Sequence, residues 1–282
     1  MKRRRLEEIF FKVLMIASLV IILAILASII GVIAYKGAAS LSLEMLVQTP
    51  KGGYYLGGKG GIANAIVGSL YLAIGATVLS LLFALPLAFA LQREYVNRSI
   101  ARFTRLTLDV LWGMPSIVYG AFGFVVMVYM GLNASLLGGI IALTLLMLPI
   151  MTRAMEEVIS MIPLELKEVS YAVGATRIET TFAVVLRQAL PGIATAVMLA
   201  FGRGIGDAAS LLFTAGYTDY IPHSLFDPSA SLPLAVFFQI GTPIPEVQNR
   251  AYASALVLLV IVLMVSLGAR LLSSRFSRNI LK

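Results

Sequence analysis

Arg203 and Asp207 are two opposite charges in a stretch that is otherwise apolar enough to cross a membrane. A charged side chain at the bilayer centre costs at least about 2.5 kcal/mol, so each must face protein, water or a counter-charge. Residues four positions apart lie on the same face of a helix. Two interpretations follow: an ion pair that satisfies itself, or a permanent cation on the path of an oxyanion, with Asp207 holding the guanidinium. A guanidinium presents paired donors to an oxyanion and keeps its charge at neutral pH.

Three glycines surround this charge, at Gly202, Gly204 and Gly206. Glycine lets a helix bend or approach a neighbouring helix closely, at a cost in local helix stability. We expect these residues to give flexibility to a gate. Because one guanidinium alone binds an anion weakly, we also expect a second subunit to contribute matching charges across a shared pore.

The segment 153–190 is amphipathic and predicts two short helices joined by a tight turn. Pro163 suits a helix start, and Gly174 is placed to end that helix in a left-handed conformation. Thr176 and Glu179 have the spacing of a capping box, which starts the next helix. The first helix carries a cluster of apolar side chains, and we expect a protein partner to bind and bury them. These are Leu164, Val169, Tyr171, Ala172 and Val173.

The composition of the 282-residue chain indicates an integral membrane protein, because 59% of its residues are apolar and 13% are charged. Soluble domains have about 25% charged residues. The chain has no cysteine and one histidine, His223, which excludes disulfides, thiol chemistry and Cys/His zinc sites. We therefore expect no metal site and no catalytic residues.

Crossing about 30 Å of hydrocarbon takes roughly 20 helical residues, and the apolar windows predict six such helices. They cover residues 13–35, 62–91, a hairpin of two helices within 110–152, a fifth from about 188, and a sixth over 252–269. The expected fold is thus an all-α integral membrane protein with six transmembrane helices. A further short helix is expected over 231–238, in an external segment of 216–250 that contains five prolines.

The basic residues predict the orientation through the positive-inside rule. Of 22 Lys and Arg residues, 17 fall in the two termini and in segments 93–109 and 153–187. Both termini are therefore expected to be cytoplasmic. The same asymmetry explains a pI near 9.8 without nucleic-acid binding.

The stretch from Glu168 to Thr176 resembles the EAA loop of ABC importer permeases, which has Glu-Ala-Ala, three residues and then Gly. Val169 and Ser170 replace the two alanines, and Arg187 stands where the family has proline. The resemblance implies that this loop is the coupling helix that docks on a cytoplasmic ATPase. The residues it assigns to coupling are Glu168, Tyr171, Ala172, Gly174, Ala175 and Thr176.

Three further stretches, 61–70, 114–120 and 203–215, resemble the PstA-type permease subunits of phosphate importers. The resemblance implies a type I (MetI-like) ABC importer permease fold in the cell membrane. It implies an N-terminal helix and Gly-rich loop over 1–60, a core over 61–270 and a basic tail over 271–282. The implied partners are a homologous permease subunit, an ATPase dimer that holds ATP and Mg²⁺, and an external phosphate-binding protein.

Other functions compete with phosphate import. A guanidinium alone does not distinguish phosphate from sulfate or molybdate. An ATP-independent channel would not need the coupling loop, and an intramembrane enzyme would need a nucleophile with its base, paired carboxylates or a metal cluster. The Gly53-x4-Gly58-Lys59 spacing nearly forms a phosphate-binding loop, but Gly60 replaces the Ser or Thr that would hold magnesium. We therefore expect a transport subunit that relies on a separate ATPase.

Overall fold

A computed structural model of the chain describes residues 2–53 and 60–276. Most of the predicted Gly-rich loop lies outside these ranges. Residues 277–282, at the end of the predicted basic tail, lie wholly outside them. The elements are helices: α1 (Lys2–Ser40), α2 (Leu43–Val47), α3 (Ala63–Ala90), α4 (Arg98–Gly113), α5 (Ser116–Tyr129), α6 (Leu136–Ser160), α7 (Leu164–Ala172), α8 (Arg177–Thr180), a π-helical turn (Thr181–Val185), α9 (Leu186–Ile205), α10 (Leu232–Ile240) and α11 (Pro245–Phe276).

Within residues 2–53 and 60–276, five helices are long and apolar enough to cross a membrane, and the number rises to six if one bent pair is counted as a span. That pair is α4 and α5, whose axes differ by 99°. The first helix of the predicted hairpin within 110–152 is therefore α5, and it is joined to α4 by a sharp bend. Met114 has an extended backbone, because the proline that follows it, Pro115, disfavours a helical conformation at this position. α5 has 14 residues, so it is about 21 Å long and falls short of the hydrocarbon thickness.

A ridge of mostly small side chains on α3 forms the centre of the fold. Every fourth residue of this helix is buried, in the order Gly68, Leu72, Ala76, Ser80, Ala84 and Ala88. Small side chains let helices in a membrane approach closely. Met147, Met151 and Met155 of α6 are fully buried in the same core, and α9 packs against both helices.

The predicted short helix after the fifth span is confirmed as α10, which begins after Ser231. Its first residues are buried, and the Leu232 N–H donates to Ser69 Oγ of α3 at 2.7 Å. α10 also packs against α11. The preceding loop covers the start of α6, where the Leu136 N–H donates to the Asp227 carbonyl at 2.7 Å.

α1 packs against α11 and has most of its described apolar side chains exposed. The two helices approach closely at Gly37, where an added Cβ would lie 2.7 Å from Leu256 Cβ. Lys36 Nζ lies 4.7 Å from the centre of the Tyr252 ring, a cation–π contact beside this crossing. The exposed apolar side chains between Ile9 and Val32 suit contact with lipid or with another subunit.

Candidate functional site

The coupling turn, which we define as residues 164–180, has the local geometry that the sequence predicts. α7 ends at Ala172, and Gly174 follows with φ +89°, in the region that favours glycine. Thr176 Oγ1 accepts from the Glu179 N–H at 3.3 Å, and Glu179 Oε2 accepts from the Thr176 N–H at 2.8 Å. This reciprocal capping box confirms the predicted start of the second helix.

Most of the predicted coupling residues lie on the outer surface of this turn. Glu168, Ala172, Gly174 and Thr176 are exposed, whereas Tyr171 and Ala175 are half-buried. Two apolar neighbours are strongly exposed, Val169 at 65% and Val173 at 81%. The turn thus presents small and apolar groups outward, which suits contact with another protein.

Glu94, in the turn between α3 and α4, holds the coupling turn in place. Its carboxylate accepts from Lys167 Nζ at 2.9 Å and from the Tyr171 hydroxyl at 3.1 Å. Its carbonyl accepts from the Arg177 guanidinium at 2.7 Å. Burial and the hydrogen bond to Glu94 raise the pKa of Tyr171, so its phenol stays protonated and donates. Nothing in the sequence indicates Glu94, because its partners are more than 70 residues away in the chain.

The coupling turn leads directly into the fifth span. α9 begins at Leu186, close to the predicted start near residue 188, and α8 and the π-helical turn continue into it, so the whole span covers 29 residues, Arg177–Ile205. The π-helical turn Thr181–Val185 lies within it, and π turns often mark functional sites in helices. The Tyr95 hydroxyl is 2.5 Å from Thr181 Oγ1 and donates to the Arg177 carbonyl at 2.9 Å, which ties the α3–α4 turn to this segment.

Arg203 lies in the last turn of α9, at the opposite end of the span from the coupling turn. Its side chain is exposed, on the same stripe as Thr195 and Leu199 and apart from the buried Ala200 and Gly204. Within the described residues, no protein group forms a hydrogen bond or ion pair with its guanidinium. This cation is therefore available to a ligand or to a second chain.

Asp207 differs from its predicted position, because α9 ends at Ile205 and Asp207 lies beyond it. It is buried, and its Oδ2 accepts from the Ser210 N–H at 2.8 Å and from Ser210 Oγ at 2.5 Å. The carboxylate thus caps the turn that follows the helix. The expected pairing with Arg203 is absent from the described structure, since the helix ends before it can place the two on one face.

The three predicted gate glycines have different surroundings. At Gly204, an added Cβ would lie 2.5 Å from Met147 Sδ, so this glycine permits close contact between α9 and α6. Gly202 has no such neighbour within 4 Å, and Gly206 is the residue that caps α9. Close packing therefore explains Gly204 alone among the three.

A network of charges joins α4 to α6 near the same end of the molecule as the coupling turn. Glu156 is 5% exposed and accepts from Arg105 Nε at 2.5 Å and from an Arg153 terminal nitrogen at 2.6 Å. Arg153 Nε also donates to Asp109 at 2.8 Å. This network is not among the features predicted from the sequence, although the three-residue spacing of Arg153 and Glu156 is a signal for its α6 part.

Residues 77–278 match the family described as binding-protein-dependent transport system inner membrane component. The chain is similar to a probable ABC transporter permease protein, YqgI, of Bacillus subtilis, at 33% identity over 92% of both chains. It is also similar to the phosphate transport system permease protein PstA of Yersinia pestis, at 34% identity over 85% of this chain and 81% of that protein.

The fold is similar to that of a chain in the inward-facing MetNI methionine ABC transporter. The match has a TM-score of 0.63 at 20% identity and covers 76% of this chain and 95% of the other. This confirms the expected MetI-like architecture. The relatives are permease subunits, in agreement with the prediction of a transport subunit rather than an enzyme. The chain therefore belongs to the family of binding-protein-dependent inner membrane transport components, and it is a multi-pass permease subunit of an ABC importer.

Proposed function

We propose that this chain is one of two permease subunits of an ATP-driven importer of inorganic phosphate. The observation that carries the proposal is the continuous 29-residue helical segment that connects the coupling turn at one end to the exposed Arg203 near the other. Such a segment joins an ATPase contact to a potential anion contact. Similarity to PstA of Yersinia pestis supports phosphate as the substrate.

Arg203 provides the anion-binding chemistry in this proposal. Its exposed guanidinium has no described acidic partner, so its charge is not already neutralised within the subunit. Paired N–H donors match two oxygens of phosphate, and the charge persists at all physiological pH values. Asp207 acts on the path indirectly, because it fixes the turn that follows Arg203.

The coupling turn provides the contact with the ATPase. Its exposed residues, together with Val169 and Val173, enter a groove on that subunit, where the absence of a side chain at Gly174 allows close approach. ATP and Mg²⁺ bind to the ATPase dimer and to no group of this chain. Movement of the groove is transmitted through α8 and the π-helical turn to α9.

The assembly consists of this chain, a homologous permease subunit, the ATPase dimer and an external phosphate-binding protein. In this arrangement the coupling turn and both termini lie in the cytoplasm, in keeping with the distribution of basic residues. Arg203 then lies on the far side of the membrane centre, where substrate arrives from the binding protein. The second permease subunit supplies the additional cations that tight binding of a dianion requires.

The test is ATP-dependent uptake by the complete transporter in vesicles, with labelled phosphate and labelled sulfate or molybdate as separate substrates. We expect phosphate uptake to fall more than about tenfold in Arg203→Gln, because a charged hydrogen bond contributes about 1.5–3 kcal/mol. The complex should still copurify. Arg270→Gln removes an equally exposed arginine from α11 and should leave uptake unchanged.

Two results would contradict the proposal. Wild-type uptake by Arg203→Gln would remove Arg203 from the path. Faster uptake of sulfate or molybdate than of phosphate by the unmodified transporter would assign a different oxyanion.

A further inference from the structure

A cavity of about 520 Å³ lies between α4 and the turn that precedes it, and its lining is strongly basic. The charged side chains in this lining are Arg93, Arg98, Arg102, Arg105, Asp109 and Arg153. Neither the transport path nor the coupling turn includes this cavity, so its chemistry needs a separate explanation.

The amphipathic pattern of α4 creates the cavity. Arg98, Arg102, Arg105 and Asp109 follow one another at intervals of four, three and four residues, which places them on one face of the helix. Arg93 joins them from the preceding turn.

The charges in the cavity are only partly balanced. Arg105 and Arg153 bind Glu156, and Arg153 also binds Asp109. Over residues 2–53 and 60–276, Arg93, Arg98 and Arg102 form no hydrogen bond or ion pair with protein groups. Three exposed guanidinium groups thus share one cavity without acidic partners, an arrangement that favours an anion with several oxygens.

A second face of α4 is apolar and exposed. Ile100, Phe103, Leu106 and Val110 have exposed fractions of 59–71%, and Leu106 also lines the cavity. α4 makes an angle of 99° with α5. With α5 directed into the membrane, α4 therefore lies along the membrane surface. An amphipathic helix in this position buries its apolar face among acyl chains and holds its basic face at the headgroups.

We propose that this cavity binds the phosphate-bearing headgroup of an anionic phospholipid, with Arg93, Arg98 and Arg102 as its ligands. Continuity between the basic cavity and the apolar face favours a lipid over a free ion, because a lipid satisfies both surfaces at once. Arg93 is adjacent to Glu94, so a bound lipid also stabilises the turn that holds Lys167 and Tyr171. The proposal does not depend on which anion the transporter carries.

Trp112 offers a direct probe, because it is the single tryptophan of the chain and lies half-exposed on α4. The full chain is reconstituted in phosphatidylcholine vesicles, and Trp112 fluorescence is followed as brominated phosphatidylglycerol or brominated phosphatidylcholine is added. We expect the anionic lipid to quench at a mole fraction at least about fivefold lower, since one arginine near a membrane surface contributes about 1 kcal/mol. Equal quenching by the two lipids would overturn the proposal.

Substitutions identify the ligands. The triple variant R93Q/R98Q/R102Q should lose the preference, whereas K12Q/R187Q/R270Q, which removes three exposed cations elsewhere, should retain it. The single variants R98Q and R102Q change one exposed side chain each, and each should reduce the preference for the anionic lipid. If neither variant reduces this preference, the proposal is overturned, even if the triple variant fails to fold. Loss of the preference in 10 mM inorganic phosphate, with ionic strength held constant by chloride, would assign the site to free phosphate instead.

Discussion

Lys167 Nζ of α7 lies 2.9 Å from Glu94 Oε1 of the α3–α4 turn, so the coupling turn is attached to an element distant in sequence. The side chain of Lys167 is 9% exposed and that of Glu94 is 22% exposed. Their interaction is therefore shielded from solvent more than a typical surface ion pair. This attachment keeps the coupling turn at a fixed position relative to α3.

Replacing Lys167 with Met should destabilise this attachment, because the Glu94 carboxylate keeps its burial but loses a charged donor. Loss of a charged hydrogen bond costs about 1–3 kcal/mol, and we expect a lower thermal unfolding temperature together with weaker coupling of ATPase activity to uptake. Lys12→Met, on an exposed part of α1, is the matched control. An unfolding temperature equal to that of the control would show that the pair contributes little.

Among substitutions of similar size at Gly174, backbone preference should decide which one is tolerated better. An added Cβ would meet no atom within 4 Å, but φ is +89°. We expect Gly174→Asn to retain more ATPase copurification than Gly174→Val, since Asn adopts the left-handed region more readily than a β-branched residue. Full copurification and full transport by Gly174→Val would count against docking at this turn.

Gly204→Ala should destabilise the packing of α9 on α6. The new methyl group would lie 2.5 Å from Met147 Sδ, and overpacking of this kind costs about 1–3 kcal/mol. Gly202→Ala is the control, since a Cβ there has open space and alanine favours helix. Thermal unfolding of the two variants should therefore change in opposite directions, and equal shifts would refute the packing explanation.

Glu156→Gln should be far more damaging than Glu157→Gln. Glu156 is buried between Arg105 and Arg153, whereas its neighbour Glu157 is exposed. Removing the buried carboxylate costs about 1–3 kcal/mol, because Arg105 and Arg153 lose a charged acceptor, although both arginines are partly exposed to solvent. Thermal unfolding measures the difference, and similar unfolding temperatures would mean that solvent compensates for the lost carboxylate.

Local signals explain which parts of this structure could be predicted. The capping box of Thr176 and Glu179 and the turn at Gly174 each depend on a few consecutive residues, so the sequence was enough to identify them. The five long apolar helices were likewise predictable from composition. Several helices extend beyond their predicted apolar windows, as the fifth span does back to Arg177. The reason is that charged residues at the ends of a span can continue the helix outside the hydrocarbon.

The parts that were missed depend on distant contacts or on competing signals. Glu94 gains its role from Lys167, 73 residues away, which no local pattern reveals. The uncharged window that begins at residue 110 includes both the end of α4 and all of α5. Hydropathy alone therefore does not reveal the break between these helices at Pro115. Gly206 caps α9, so the four-residue spacing of Arg203 and Asp207 does not place them on one helical face.

The length of the fifth span has a mechanical consequence. Arg203 is 26 residues beyond Arg177, which corresponds to about 39 Å along an α-helix. A tilt of only about 5° at the coupling turn would therefore displace the guanidinium by roughly 3 Å, comparable to the length of a hydrogen bond. In the proposed function this segment would act as a lever arm, and a small displacement of the coupling turn would be enough to make or break contact between Arg203 and an anion.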